Sequence, residues 1–185
     1  MMTTKRKRKT TVNEPLTNDT GNLKGLERRA TGNRRKSPRR KTDSDLTPEQ
    51  SEAEASIALL ESSFALLAGE AEALVARFYE ELFKRYPAVQ PLFAGLNMAD
   101  QQKKLLAALK LVVNSLRKPE VLNNALTELG KKHIGYGALP EHYGAVTGTL
   151  LDVMAEFAGN AWTDNVREAW TQALNQVSEV MIEAG

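Results

Sequence analysis

The sequence predicts an all-α fold, and three observations carry that reading. From residue 47 onward apolar side chains recur at intervals of three and four in one segment after another, the period of a helix with one buried face. No stretch shows the alternation of a half-buried strand, and no internal repeat appears. Thr, Asn and Pro stand where helices would begin, and Gly and Pro where they would end.

The elements follow in order. Thr47-Pro48-Glu49-Gln50 opens the first helix, with Thr as cap, Pro at the first helical position and Gln able to close a capping box. Ile57, Leu60, Phe64 and Leu67 make its apolar stripe, which ends near Ala68-Gly69. A second helix carries Leu74, Phe78, Leu82 and Tyr86 and stops at Pro87, because proline disfavours helix in the residue before it. Pro91-Leu92-Phe93 reads as a short corner, and Asn97 caps a third helix (Leu105, Leu109, Val112, Leu116) that ends before Pro119. A fourth runs from about Pro119 to Lys132 with Val121, Leu122, Leu126 and Leu129 apolar. His133 closes that run, a glycine corner follows at Gly135 and Gly137, and Pro140 opens a fifth helix reaching about Phe157. The last helix spans Thr163 to about Ile182 on a stripe of Val166, Trp170, Leu174, Val177 and Met181. The total is six or seven helices joined by short loops.

Composition excludes several classes of protein. The 185 residues contain no cysteine, which rules out disulfides, thiolate metal sites and a haem attached through cysteine. Any cofactor must be held by packing, histidine or carboxylate. No apolar run approaches the roughly 20 residues that span a bilayer, and the charged start lacks the apolar core of a secretory signal, so a cytoplasmic location is expected. The net charge of +2 conceals two opposite halves: residues 1–46 carry 14 Lys/Arg against 5 Asp/Glu, and the remainder 11 against 18. The first 46 residues have no Phe, Tyr, Trp or Ile to bury, so they read as a disordered basic extension. Its basic runs suit contact with an anionic surface, nucleic acid or membrane, weakening with salt; a solvated leader is the plainer reading.

Several helical folds share such intervals, and residues at particular places distinguish them. The series Phe78-Tyr79-x-x-Leu82-Phe83, Tyr86-Pro87-x-x-x-Pro91-Leu92-Phe93 and Met98-x-x-Gln101-x-x-Lys104-Leu105 leads into Lys132-His133, Pro140-Glu141-His142-Tyr143, Leu150-Leu151 and Ala169-Trp170. In this order and spacing, over residues 57–182, the chain resembles a globin, and within globins the bacterial single-domain haemoglobins and the haem domain of flavohaemoglobins. The resemblance implies a globin fold around a non-covalent haem b, with residues 1–46 an extension and 47–185 the globin domain.

It also implies roles for named residues. His133 matches the proximal ligand, whose neutral imidazole gives a lone pair to iron, although a lone helical histidine is more often structural. His142 matches a histidine that does not ligate. Tyr79 and Gln101 match the distal pair that donates hydrogen bonds to a diatomic ligand carrying partial negative charge, and Leu105 supplies the apolar wall. Against these stand a core tyrosine and a solvated first-turn glutamine. Phe93 matches the corner phenylalanine that packs on the porphyrin, and Lys104 a side chain within reach of a propionate, or else facing water. Tyr143 matches a tyrosine that tunes the proximal imidazole; the glutamate that shares this role in relatives falls on Gly185, so a neutral proximal histidine is expected.

The implied function is reversible binding of oxygen, and of carbon monoxide and nitric oxide, at ferrous iron. Nitric oxide dioxygenation would need an external reductase, since no Gly-x-Gly-x-x-Gly follows a strand and the chain leaves no room for flavin or nicotinamide modules. A different class of protein, a globin-like sensor or interaction module targeted by the basic tail, is the alternative.

Overall fold

The structure, a computed structural model, describes residues 47–184; the basic extension 1–46 and Gly185 lie outside the described residues. Six α-helices follow one another: α1 (Pro48–Leu67), α2 (Ala71–Arg85), α3 (Met98–Ser115), α4 (Pro119–Gly135), α5 (Pro140–Ala158) and α6 (Asp164–Glu183). Short 3-10 turns at Ala68–Glu70, Pro87–Phe93 and Gly159–Ala161 join them, and there is no strand among the described residues. No described helix is long and apolar enough to cross a membrane.

The helices begin where the capping residues predict. Thr47 and Gln50 exchange both bonds of a capping box, at 3.1 and 3.3 Å. Asn97 Oδ1 accepts from the amides of Ala99 and Asp100 at 2.9 and 3.3 Å, which fixes the start of α3. Thr163 does the same for α6 through Val166. The fourth helix is a turn longer than its apolar pattern suggests. Gly135 stays helical because the amides of Tyr136, Gly137 and Ala138 close the last turn onto the carbonyls of Lys132, His133 and Ile134; Gly137, at φ +81°, is the residue that reverses the chain. Val121, placed in the α4 stripe by its spacing, is exposed.

The main core draws Leu60 and Leu67 from α1, Leu74, Phe78 and Leu82 from α2, Leu150, Val153 and Met154 from α5, and Val166, Trp170 and Leu174 from α6. Trp170 is fully buried, and its Nε1 donates at 2.9 Å to Ser63 Oγ, which passes the bond on to the Leu59 carbonyl at 2.6 Å. Ser63 is therefore the polar partner that lets an indole enter the core. Ser63→Ala should cost about 1–3 kcal/mol in urea unfolding by orphaning that N–H, whereas exposed Ser62→Ala should cost much less.

A smaller cluster of Val112, Leu126 and Met181, with Leu122, Leu129, Tyr143 and Val177 against it, lies where α3, α4, α5 and α6 meet. Here α4 and α6 come unusually close. A Cβ at Gly130 would overlap the Met181 carbonyl oxygen and stand 2.8 Å from the Met181 Cα and 3.0 Å from the Ala184 Cβ. Only glycine permits that crossing, and it lies one turn before His133.

Candidate functional site

Two groups of side chains make up the candidate site, and the first surrounds Tyr79. The helical period of α2 turns Phe78, Tyr79 and Leu82 inward. The Tyr79 ring meets Phe78 edge-on at 5.0 Å, Phe93 at 5.6 Å and Phe83 at 5.8 Å, and Phe83 and Phe93 meet at 5.2 Å. Phe93 reaches this cluster because Pro87 and Pro91 hold the preceding chain in a 3-10 turn. Burial pushes the Tyr79 hydroxyl up to about 12, and the polar Gln101 side chain beside it pulls the other way.

The hydroxyl thus remains a proton donor across the physiological range. Its folded pKa lies above its unfolded value, so the stability from keeping Tyr79 neutral is full below about pH 10 and is lost as pH rises towards 12. Gln101, whose position the Asn97 cap sets, is half-buried beside that hydroxyl rather than solvated. Leu105, one turn on, is half-buried against the main core. Lys104 is exposed at the edge of the same helix. A hollow of 540 Å³ borders Phe83 and Phe93 at the corner and does not include His133 in its lining.

The second group surrounds His133. In the last turn of α4 its Nδ1 lies 2.9 Å from the Leu129 carbonyl oxygen. A carbonyl only accepts, so Nδ1 donates, and in the neutral imidazole Nε2 is then the nitrogen that holds the lone pair. The rings of Tyr136 and Tyr143 stand 6.0 and 6.3 Å from the imidazole. Tyr143 is half-buried, and burial pushes its hydroxyl up from the ordinary value. His142 is used otherwise, its Nδ1 accepting from the Leu139 amide at 3.1 Å and capping α5.

Among the described residues no three His, Cys, Asp or Glu side chains converge to cage a metal ion. His133 by itself suits a metal whose other ligands arrive with a macrocycle, and its surroundings suit a large apolar one. Ile134, Tyr136 and Leu139, which follow it in the chain, expose 48%, 65% and 50% of their surface, apolar area that a flat hydrophobic ring can cover. The two groups adjoin: a Cβ at Gly137, on the corner after His133, would be in ordinary contact with Leu92, next to Phe93, at 3.6 Å. The residues fit a haem.

Sequence reasoning does not find Gly130, the Leu129 carbonyl or the exposed trio at 134, 136 and 139. A glycine inside an otherwise regular helical pattern is the available signal for the first.

The family model described as Globin matches residues 76–181. The flavohemoprotein of Burkholderia sp. (strain TH2) is 33% identical over 128 residues, and that of Pseudomonas aeruginosa 33% over 130; these cover 68% and 69% of this chain and 33% of each relative. The chain thus spans about a third of the length of those relatives. An uncharacterized globin-like protein of Aquifex aeolicus is 31% identical over 129 residues, 70% of this chain and 91% of that protein. Among solved structures, a bacterial globin from Campylobacter jejuni superposes with a TM-score of 0.62 at 23% identity, covering 71% of this chain and 94% of that one, a likeness of fold.

Proposed function

This chain belongs to the globin family, and we propose that it binds a non-covalent haem b through His133 and uses it to take up oxygen, carbon monoxide and nitric oxide reversibly. The observation that carries the proposal is the His133 imidazole, whose Nδ1 is held by the Leu129 carbonyl so that Nε2 is left to donate. A haem bound there supplies ferrous iron, the centre at which diatomic ligands bind.

The chain's own residues do the rest. The partner of Nδ1 is a carbonyl in place of a carboxylate, an acceptor that draws the proton less strongly, which suits reversible binding better than peroxidase-like chemistry. Tyr143 packs against the imidazole from α5 and restricts its rotation. Phe93 and Leu105 line the apolar side and exclude water, and Lys104 pairs with a propionate at the rim. Tyr79 donates its hydroxyl proton as a hydrogen bond to a ligand that acquires negative charge, and Gln101 orients that hydroxyl. Where burial removes water from around the Tyr79 hydroxyl, such a bond is worth more than in bulk water. Nitric oxide dioxygenation to nitrate, with an external reductase returning the iron to the ferrous state, is the catalytic extension of the same chemistry.

The test is oxygen dissociation from the haem-loaded protein by stopped flow. Tyr79→Phe should speed it about ten- to hundredfold, the equivalent of a charge-assisted hydrogen bond of about 1.5–3 kcal/mol, while Gln101→Leu should have a smaller effect. Carbon monoxide, which gains little charge, should leave at nearly the wild-type rate from both. An unchanged oxygen rate in Tyr79→Phe would remove Tyr79 from this role.

A further inference from the structure

Charge is distributed very unevenly over the described residues. Residues 98–118, which hold α3 and the link to α4, carry five Lys/Arg and one Asp, whereas the rest of residues 47–184 carries six Lys/Arg against seventeen Asp/Glu. The five basic groups are all exposed; Arg117 is already paired with Glu54 and Glu61, Lys103 lies 3.6 Å from Asp100, and Lys104 stands at the edge nearest the proposed haem, so Lys103, Lys110 and Lys118 are the cations open to a partner. Lys103 and Lys110, seven residues apart, share one row of the helix, which Arg117 continues just past its end; Lys104 and Leu111 form the adjacent row, which Lys118 continues. Leu111 is 41% exposed in the middle of these cations. From Lys103 to Lys118, at 1.5 Å per residue, this basic strip is about 22 Å long, with an apolar centre.

We propose that this outer face of α3 docks a small acidic one-electron carrier protein, which re-reduces the iron of the proposed haem. The inference rests on the oxygen-binding reading, since oxidation of the ferrous iron leaves a ferric form to be recovered. One electron from the partner's reduced flavin or iron–sulfur centre would convert the ferric iron of a bound haem to ferrous, and no bond would be made or broken. The geometry suits such a transfer. α3 carries Gln101 and Leu105 on its inner side, so a protein on its outer side stands about one helix thickness, roughly 10–12 Å, from the pocket.

Charge complementarity favours a compact protein over an extended polyanion. A membrane or duplex broad enough to reach beyond α3 would meet the acidic remainder of the domain, whereas a small acidic patch would meet only the strip and would be drawn to it electrostatically. The exposed leucine ringed by lysines has the apolar centre and polar rim of a transient interface.

Binding of the full chain to flavodoxin, an acidic flavin carrier, can be measured by calorimetric titration at low and at physiological salt. The variants are K103E/K110E/K118E and Leu111→Ser. Arg117 is kept, because it pairs with Glu54 and Glu61 and fastens the end of α3 to α1. The triple reversal should weaken binding at least about tenfold, salt should weaken the wild type, and Leu111→Ser should weaken it with the salt dependence intact. The basic extension is the same in every variant, so these differences belong to α3.

Wild type that does not bind flavodoxin, or a folded triple variant that binds it equally well, would overturn the proposal. So would a triple variant that loses only anionic phospholipid vesicles or duplex DNA. A normal haem spectrum alongside either result would sink the docking surface alone. Flavodoxin binding that follows the α3 charges in a protein unable to take up haem would sink the oxygen reading instead.

Discussion

His133→Ala should abolish tight haem binding. The side chain offers the one imidazole nitrogen in the site with its lone pair free, because Nδ1 is engaged by the Leu129 carbonyl and His142 is engaged in capping α5. Loss of a partner that merely orients a metal ligand typically costs 10- to 100-fold in affinity, so loss of the ligand itself should cost more than about a hundredfold. The check is haemin titration of wild type, His133→Ala and His133→Gly, followed by added imidazole. Imidazole should restore a Soret band to the glycine variant, since it returns the missing nitrogen without repairing anything else. Wild-type affinity in the alanine variant would mean that another group holds the iron.

Gly130→Ala should destabilise the protein, although alanine ordinarily favours a helix over glycine by about 1 kcal/mol. The added methyl would meet the Met181 carbonyl and Cα, which are backbone and cannot swing aside. Helices α4 and α6 would have to separate, at a cost of about 1–3 kcal/mol, more for valine. Because His133 is three residues further along α4, haem affinity should fall as well. Gly135, on the same helix, has nothing within 4 Å of the corresponding position, so Gly135→Ala should be neutral or stabilising. Urea unfolding and haem titration of the two variants make the comparison. Equal stabilities would show that the α4–α6 crossing yields without cost.

The contrast between these glycines shows what a sequence makes legible. Helix number, caps and stripes are readable because each depends on near neighbours: Thr47 with Gln50, Asn97 with Asp100, the spacing of Leu74, Phe78 and Leu82. Tyr79, Gln101 and His133 stand out only through the order of their flanking motifs, and the structure sets the half-buried Gln101 beside the buried Tyr79. What distinguishes Gly130 from Gly135 is the passage of α6 over one and not the other, a contact with Met181, far along the chain. The Ser63–Trp170 bond, spanning 107 residues, is hidden for the same reason. The pattern ends α4 too early because a glycine near a helix end reads as a stop, whereas the turning residue is the one with positive φ, Gly137.

Reversible diatomic binding at a haem held by this chain is tested most directly by the visible spectrum of the haemin-reconstituted 185-residue chain. It would be recorded as isolated, reduced with dithionite, exposed to carbon monoxide, and exposed to air and then to inert gas. The expected result is a Soret band that moves on reduction, moves again with each ligand, and returns to the reduced position when oxygen is removed. A protein that remains colourless after haemin, or whose reduced spectrum ignores both gases, would contradict the assignment.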